Sequence, residues 1–160
     1  ERNRYFANRI AQTELHRAYE DQKAIEMMAD TELVWVQIRM SPTHPKIDVC
    51  DYHAMLDRYG QGPGVYPKAE APKPPFHPHC RCRAVPRYDI DADAQQVYRR
   101  GAHITLMQSL SDYDQRLVAG SRDRLKRFRD GESIESIYDQ ATRKEYRLKR
   151  LGDIKPQPKT

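Results

Sequence analysis

All three cysteines and three of the six histidines of this 160-residue chain fall in two short runs, Cys50-Asp51-Tyr52-His53 and Phe76-His77-Pro78-His79-Cys80-Arg81-Cys82. Thiolate and imidazole are the donors of a structural zinc site, which takes four of them as two close pairs brought together by the fold. Cys50-x-x-His53 forms one such pair and Cys80-x-Cys82 the other, so the expected ligand set is Cys50, His53, Cys80 and Cys82, with His77 or His79 as alternates for His53. A Cys-x-Cys spacing is tighter than the common Cys-x-x-Cys, so both thiolates must leave a bend, and His77-Pro78 supplies a stiff approach to it. The competing reading is three reduced thiols beside surface histidines, and the clustering weighs against it. A hydrolytic site leaves one coordination position open to water and would draw on Asp48, Asp51, His77 and His79. No His-Glu-x-x-His helix supports that chemistry. For a toxin-type transferase the only candidates are Arg39, Ser41 and Glu135, and Glu132-x-x-Glu135 lacks the glutamates one residue apart that such enzymes use.

Composition limits what can hold these residues in place. Hydrophobic residues make up 38% of the chain and charged residues 32%, which gives a thin core for a single domain. A bound ion supplies folding free energy that such a core lacks. Three cysteines cannot all pair, and two of them are one residue apart, so the expected compartment is reducing and not disulfide-forming. The longest apolar run is Leu33-Val34-Trp35-Val36, far short of a membrane span, and no secretory leader is visible. The chain begins with Glu1, so it is expected to be a segment of a longer protein. Its net charge of +5 and pI near 9.1 favour an acidic partner, either nucleic acid or an acidic protein surface.

The pattern predicts an α+β chain: a long N-terminal helix, a small antiparallel sheet with a zinc-clamped Gly/Pro-rich loop, then short C-terminal helices and a final strand. Residues 3–29 read as one helix whose buried stripe is Ala7, Ala11, Leu15, Ala18, Ile25 and Met28, packed on a sheet or docked on another subunit. Leu33 to Met40 alternates as a strand. From His44 to Pro75 turn formers dominate, with one helical turn expected at residues 51–59. A loop that long needs an anchor, and ligands at its two ends would provide one. Residues 82–88 read as a second strand beside Trp35, and 89–100 as a connector with a short helix through Val97 and Tyr98. Helices are then expected over 103–110, 113–119, 122–129 and 134–142, with serines as N-caps and Gly120 and Gly131 as stops. Tyr146, Leu148 and Leu151 suggest the final strand. The region 1–88 is taken as the helix plus metal-clamped sheet, and 89–160 as the helical remainder of the same domain.

Cations concentrate in the last third, where Arg122, Arg124, Lys126, Arg127 and Arg129 are candidate phosphate contacts. Interspersed acids dilute them, and no aromatic residues alternate with them in the way that stacks bases. A basic DNA-binding module over residues 116–150 is therefore an alternative reading and not the first.

The order of features resembles the phage Mu F-like family of head-morphogenesis proteins. The resemblance rests on Ile10-x-x-Thr13-Glu14, the strand around Trp35, Asp48-x-Cys50-x-x-His53, the Gly/Pro-rich loop and above all Pro74-x-x-His77-Pro78-x-Cys80-Arg81-Cys82. Gln115-Arg116-Leu117-Val118-Ala119-Gly120 is similar to the C-terminal part of that family, so most of the chain is covered. Relatives carry a His or a Cys-x-x-Cys pair where this chain has Cys50-x-x-His53. The resemblance implies a non-enzymatic minor head protein at the portal vertex inside the capsid. Its role would be head assembly with a part in DNA ejection, and its partners the portal protein, other head proteins and packaged DNA. It would sit in the virion, and in the host cytoplasm during assembly. Some relatives carry fused toxin domains, and none is evident in these residues.

Overall fold

The computed structural model describes residues 2–138 and shows an α+β chain. Its elements are α1 (Arg2–Ala29), β1 (Trp35–Arg39), α2 (Val49–Met55), β2 (Val65–Pro67), β3 (Arg83–Arg87), α3 (Ala102–Ser109), α4 (Asp112–Ala119) and α5 (Arg122–Arg129), with further helical residues at 134–138. The chain divides into two compact units, Glu1–Val118 and Ala119–Thr160.

In the first unit, β1 is the central strand of an antiparallel sheet of order β2-β1-β3. The β1–β3 pairing foreseen from the sequence is present, with Gln37 opposite Val85 and Ile38 opposite Ala84. The loop between residues 44 and 75 is less irregular than its composition implies, because Val65–Pro67 pairs with Trp35, Val36 and Gln37 as β2. Gly64 makes this possible. Its φ is +70°, its carbonyl accepts from Ile38 N–H at 2.8 Å, and a Cβ there would lie 2.6 Å from the Ala54 carbonyl oxygen. Only glycine allows so close an approach of three backbone segments at that angle.

Leu33, Trp35, Val36, Ile38, Tyr59, Val65, Tyr66 and Ala84 form the buried core, with Phe76 packed against it. The polar ends of its aromatic residues are satisfied, since Trp35 Nε1 donates to the Asp91 carbonyl at 3.1 Å and the Tyr66 hydroxyl donates to the His53 carbonyl at 2.8 Å. The connector after β3 holds no helix at Val97 and Tyr98. Its backbone is tacked to the preceding turn instead, with Arg99 N–H donating to the Arg58 carbonyl at 2.8 Å and the Arg99 guanidinium reaching Asp57 at 2.7 Å.

Helix α1 has the predicted extent but turns the opposite face inward. The expected core stripe is outside: Leu15 is 71% exposed and Ile25 65%. The buried positions are Thr13 and Glu20. These two, together with His16 and Lys23, recur at steps of three, four and three, which is one face of a helix, and that face runs along the outer edge of β3. The Thr13 hydroxyl accepts from His79 N–H at 3.2 Å, and His16 Nε2 donates to the Cys82 carbonyl at 2.8 Å. Glu20 accepts from Ala84 N–H at 3.1 Å, and the Lys23 ammonium donates to the Ala84 carbonyl at 2.7 Å. The helix is held by polar bonds to strand groups that would otherwise be buried unpaired, and not by its apolar stripe.

In the second unit, α5 begins at the foreseen N-cap, where the Ser121 hydroxyl accepts from Arg124 N–H. Ala119, Leu125, Ile134 and Ile137 are buried there. The rest of the helix expected to reach Thr142, and the final strand through Tyr146, Leu148 and Leu151, lie outside the described residues.

Candidate metal centre

Two local structures bring the donors together. Asp48 caps α2 in a reciprocal box, its carboxylate accepting from Cys50 N–H at 2.7 Å while Asp51 accepts from Asp48 N–H at 2.8 Å. This fixes Cys50 in the first turn of the helix. On the other side, His77-Pro78-His79-Cys80 is a turn closed by Cys80 N–H donating to the His77 carbonyl at 3.1 Å, with His79 at φ +61°. Proline at the second position and a left-handed residue at the third are the chemistry of a type II turn. Histidine is an uncommon occupant of that third position. The turn sends the His77 and Cys80 side chains to the same side.

There the Cys50 sulfur lies 3.1 Å from His77 Nε2 and 3.6 Å from the Cys80 sulfur. A disulfide needs about 2.0 Å between sulfurs. The edges of a tetrahedron with zinc-type bond lengths are about 3.5–3.8 Å. Cys50, His77 and Cys80 form one group whose donor atoms all lie within 4.8 Å of one another, and His44, Cys50 and Cys82 form a second that shares Cys50. All three cysteines are buried, with Met40 and Phe76 packed around them. These Cys and His side chains stand within metal-ligand distance, an arrangement compatible with a bound metal.

The electrostatics fit the same reading. Cys80 is held far below the ordinary thiol range by hydrogen bonds from Cys50 first and Cys82 second. Cys50, donor to the same anion, is pushed up. Without a cation, three adjacent thiols cannot all ionise, and a coordinated metal deprotonates its thiols outright. His77 is raised to about 9, chiefly by its hydrogen bond to Asp48, with burial opposing and the Pro78 carbonyl adding to the rise. Burial works against the charge on Asp48, but the bonds from His77 and from Cys50 N–H outweigh it and lower its pKa. His77 Nδ1–H donates to the Pro78 carbonyl at 2.8 Å, so Nε2 is the nitrogen that would face a metal; without an ion Nε2 carries a proton to Asp48 at 3.1 Å, which a metal would displace.

The expected residues are distributed unevenly around this point. Cys50 and Cys80 meet directly, and Cys82 joins through the second group. His77, held as an alternate, stands in the first group, and His53 stands in neither. The reason is the local structure. His53 follows Cys50 by three residues on the helix 49–55, and its ring packs on Phe76 at 4.3 Å between centroids instead of joining the thiols. His79 is exposed, its ring 6.1 Å from that of Tyr5. The four hydrolase candidates do not form one group: Asp48 and Asp51 associate with His44, His77 reaches Asp48 at 3.1 Å, and His79 stands apart. The sequence reading missed His44, which lies 2.9 Å from Asp51 and belongs to the second thiol group. Its only signal was its place six residues before Cys50.

The candidate phosphate contacts Arg122, Arg124, Lys126, Arg127 and Arg129 all lie on α5 in the second unit. Among them, Arg124 sits over the Tyr138 ring at 5.0 Å and Arg127 pairs with Glu132. Comparison with family models, curated protein sequences and solved structures finds no match to this chain.

Proposed function

We propose that this chain is a structural interaction domain clamped by one zinc ion, serving as the docking piece of a minor head protein of a tailed phage or prophage. The observation that carries the clamp is the convergence of Cys50, His77 and Cys80, with sulfur–nitrogen and sulfur–sulfur separations of 3.1 and 3.6 Å. Cys82 completes the set, and His77 takes the imidazole place first given to His53. The ion joins positions 30 residues apart, and closing a loop of that length removes about 3–4 kcal/mol of chain entropy from the unfolded state. That is a large gain for a core as thin as this one.

The assembly role is supported by the likeness of the Pro74-to-Cys82 signature and of the order of elements to the Mu F-like proteins. Portal and head proteins are its partners in this reading, and the virion its location. The test has two arms. Elemental analysis of purified protein should give about one zinc per chain, and chelation should lower its stability by several kcal/mol. Mass spectrometry of purified particles should find the chain at low copy number. Absence of metal removes the clamp, and absence from particles removes the assembly role.

A further inference from the structure

The outer face of the sheet beside the metal centre carries cations that the fold does not balance. Cys80, Cys82 and Ala84 are buried, and the alternation of an extended chain turns Arg81 and Arg83 outward, where both are exposed. On β1, the exposed Arg39 lies directly opposite Arg83 in the antiparallel register. Like charges placed directly across a strand pair weaken it, so this arrangement has no structural benefit. Arg39 donates to Gln37 at 3.1 Å, and neither Arg81 nor Arg83 makes an ion pair among the described residues. The carboxylate that Arg39 feels, Asp89, is engaged by Arg87 through two bonds of 2.6 Å. Next to Arg81 and Arg83 a cleft of about 300 Å³ opens toward α1, its polar lining made of Gln12, His16 and His79 with no carboxylate.

We propose that Arg39, Arg81 and Arg83, with this cleft, bind the phosphodiester backbone of a nucleic acid. Two residues apart on an extended chain, Arg81 and Arg83 are separated by about 6.5–7 Å, close to the step between neighbouring phosphates of one strand. That spacing selects a polyanion over a lone phosphate. The arginines stand on a rigid support, because Cys80 and Cys82 belong to the donor cluster and Ala84 is bonded on both its N–H and its carbonyl by Glu20 and Lys23. The inference rests on this geometry and is independent of both the assembly role and the cations of α5.

Fluorescence anisotropy with a labelled 20-nucleotide strand and its duplex, between 50 and 200 mM salt, tests it on the full chain. Three phosphate contacts on duplex give a slope of log affinity on log salt of about −2.7, or roughly a 40-fold loss over that range. Replacing all three arginines by glutamine should flatten the slope by that amount while leaving zinc content unchanged. Arg39→Gln alone leaves both residues that flank Cys82 unchanged and should reduce the slope by about 0.9, which keeps the test informative if the triple variant misfolds. Inorganic phosphate at millimolar level should compete poorly. Three results would overturn the assignment: wild-type affinity in Arg39→Gln and the triple variant, loss of binding only on substitution of Arg122 and Lys126, or equal competition by polyglutamate.

Discussion

Replacing His77 by Gln and, separately, His53 by Gln distinguishes a metal donor from a packed ring. Structural zinc binding is worth about 10–16 kcal/mol over four ligands, so losing one donor removes about 3–4 kcal/mol, or a factor of roughly 10²–10³ in affinity. His77→Gln should show that loss, because its Nε2 is 3.1 Å from the Cys50 sulfur. His53→Gln should keep metal affinity within a few-fold. It forfeits the ring contacts to Phe76 at 4.3 Å and Tyr52 at 5.3 Å, a loss of about 1 kcal/mol of stability. Competition with a chromogenic chelator reads the affinity, and the visible spectrum of the cobalt-substituted protein reads the donor set. Tight metal binding in His77→Gln together with its loss in His53→Gln would refute the assignment, since it would mean that the helix 49–55 rearranges to deliver the other imidazole.

Two further outcomes follow from the geometry. Gly64→Ala should cost about 2–4 kcal/mol, because φ is +70° and the new Cβ would meet the Ala54 carbonyl oxygen at 2.6 Å; a change below 0.5 kcal/mol in urea unfolding would contradict the crossing of segments described. In the metal-free protein, His77 has a folded pKa of about 9, above its ordinary 6.5, so its contribution is complete below pH 6.5 and lost as pH rises through 9. Asp48 is lowered, so its contribution is complete above its ordinary range and lost as pH falls below it. Discounted for partial exposure, the alkaline loss is about 1 kcal/mol, and Asp48→Asn should abolish it in urea titrations at pH 6 and 9.5. An equal decline in both proteins would show that the pair is not its source.

Much of the architecture was legible because local signals and global packing agree. The uninterrupted helical stretch gave α1 to within a residue of its start, and alternation around Trp35 gave β1 and its pairing with β3. The caps at Ser121 and Gly131 gave the limits of α5. The facing of α1 was not legible. Periodicity ranks apolar residues as inward, whereas a strand edge needs hydrogen-bond partners, and Thr13, His16, Glu20 and Lys23 supply them. β2 was hidden because its three residues follow a Gly-Pro-Gly turn and end in a proline. At the metal centre, cysteine spacing located the site, but the choice among histidines depends on a helix and a turn whose orientation spacing does not encode.

The polar seam between α1 and β3 also limits how this sheet associates with others. A row of open N–H and carbonyl groups on a flank strand templates the addition of foreign strands and leads to fibrous growth. On the β3 flank those groups at Cys82 and Ala84 are already taken by His16, Glu20 and Lys23. The opposite flank is three residues long and closes on Pro67, which has no N–H to offer. Neither flank leaves a docking rail among the described residues, over which the sheet has three strands.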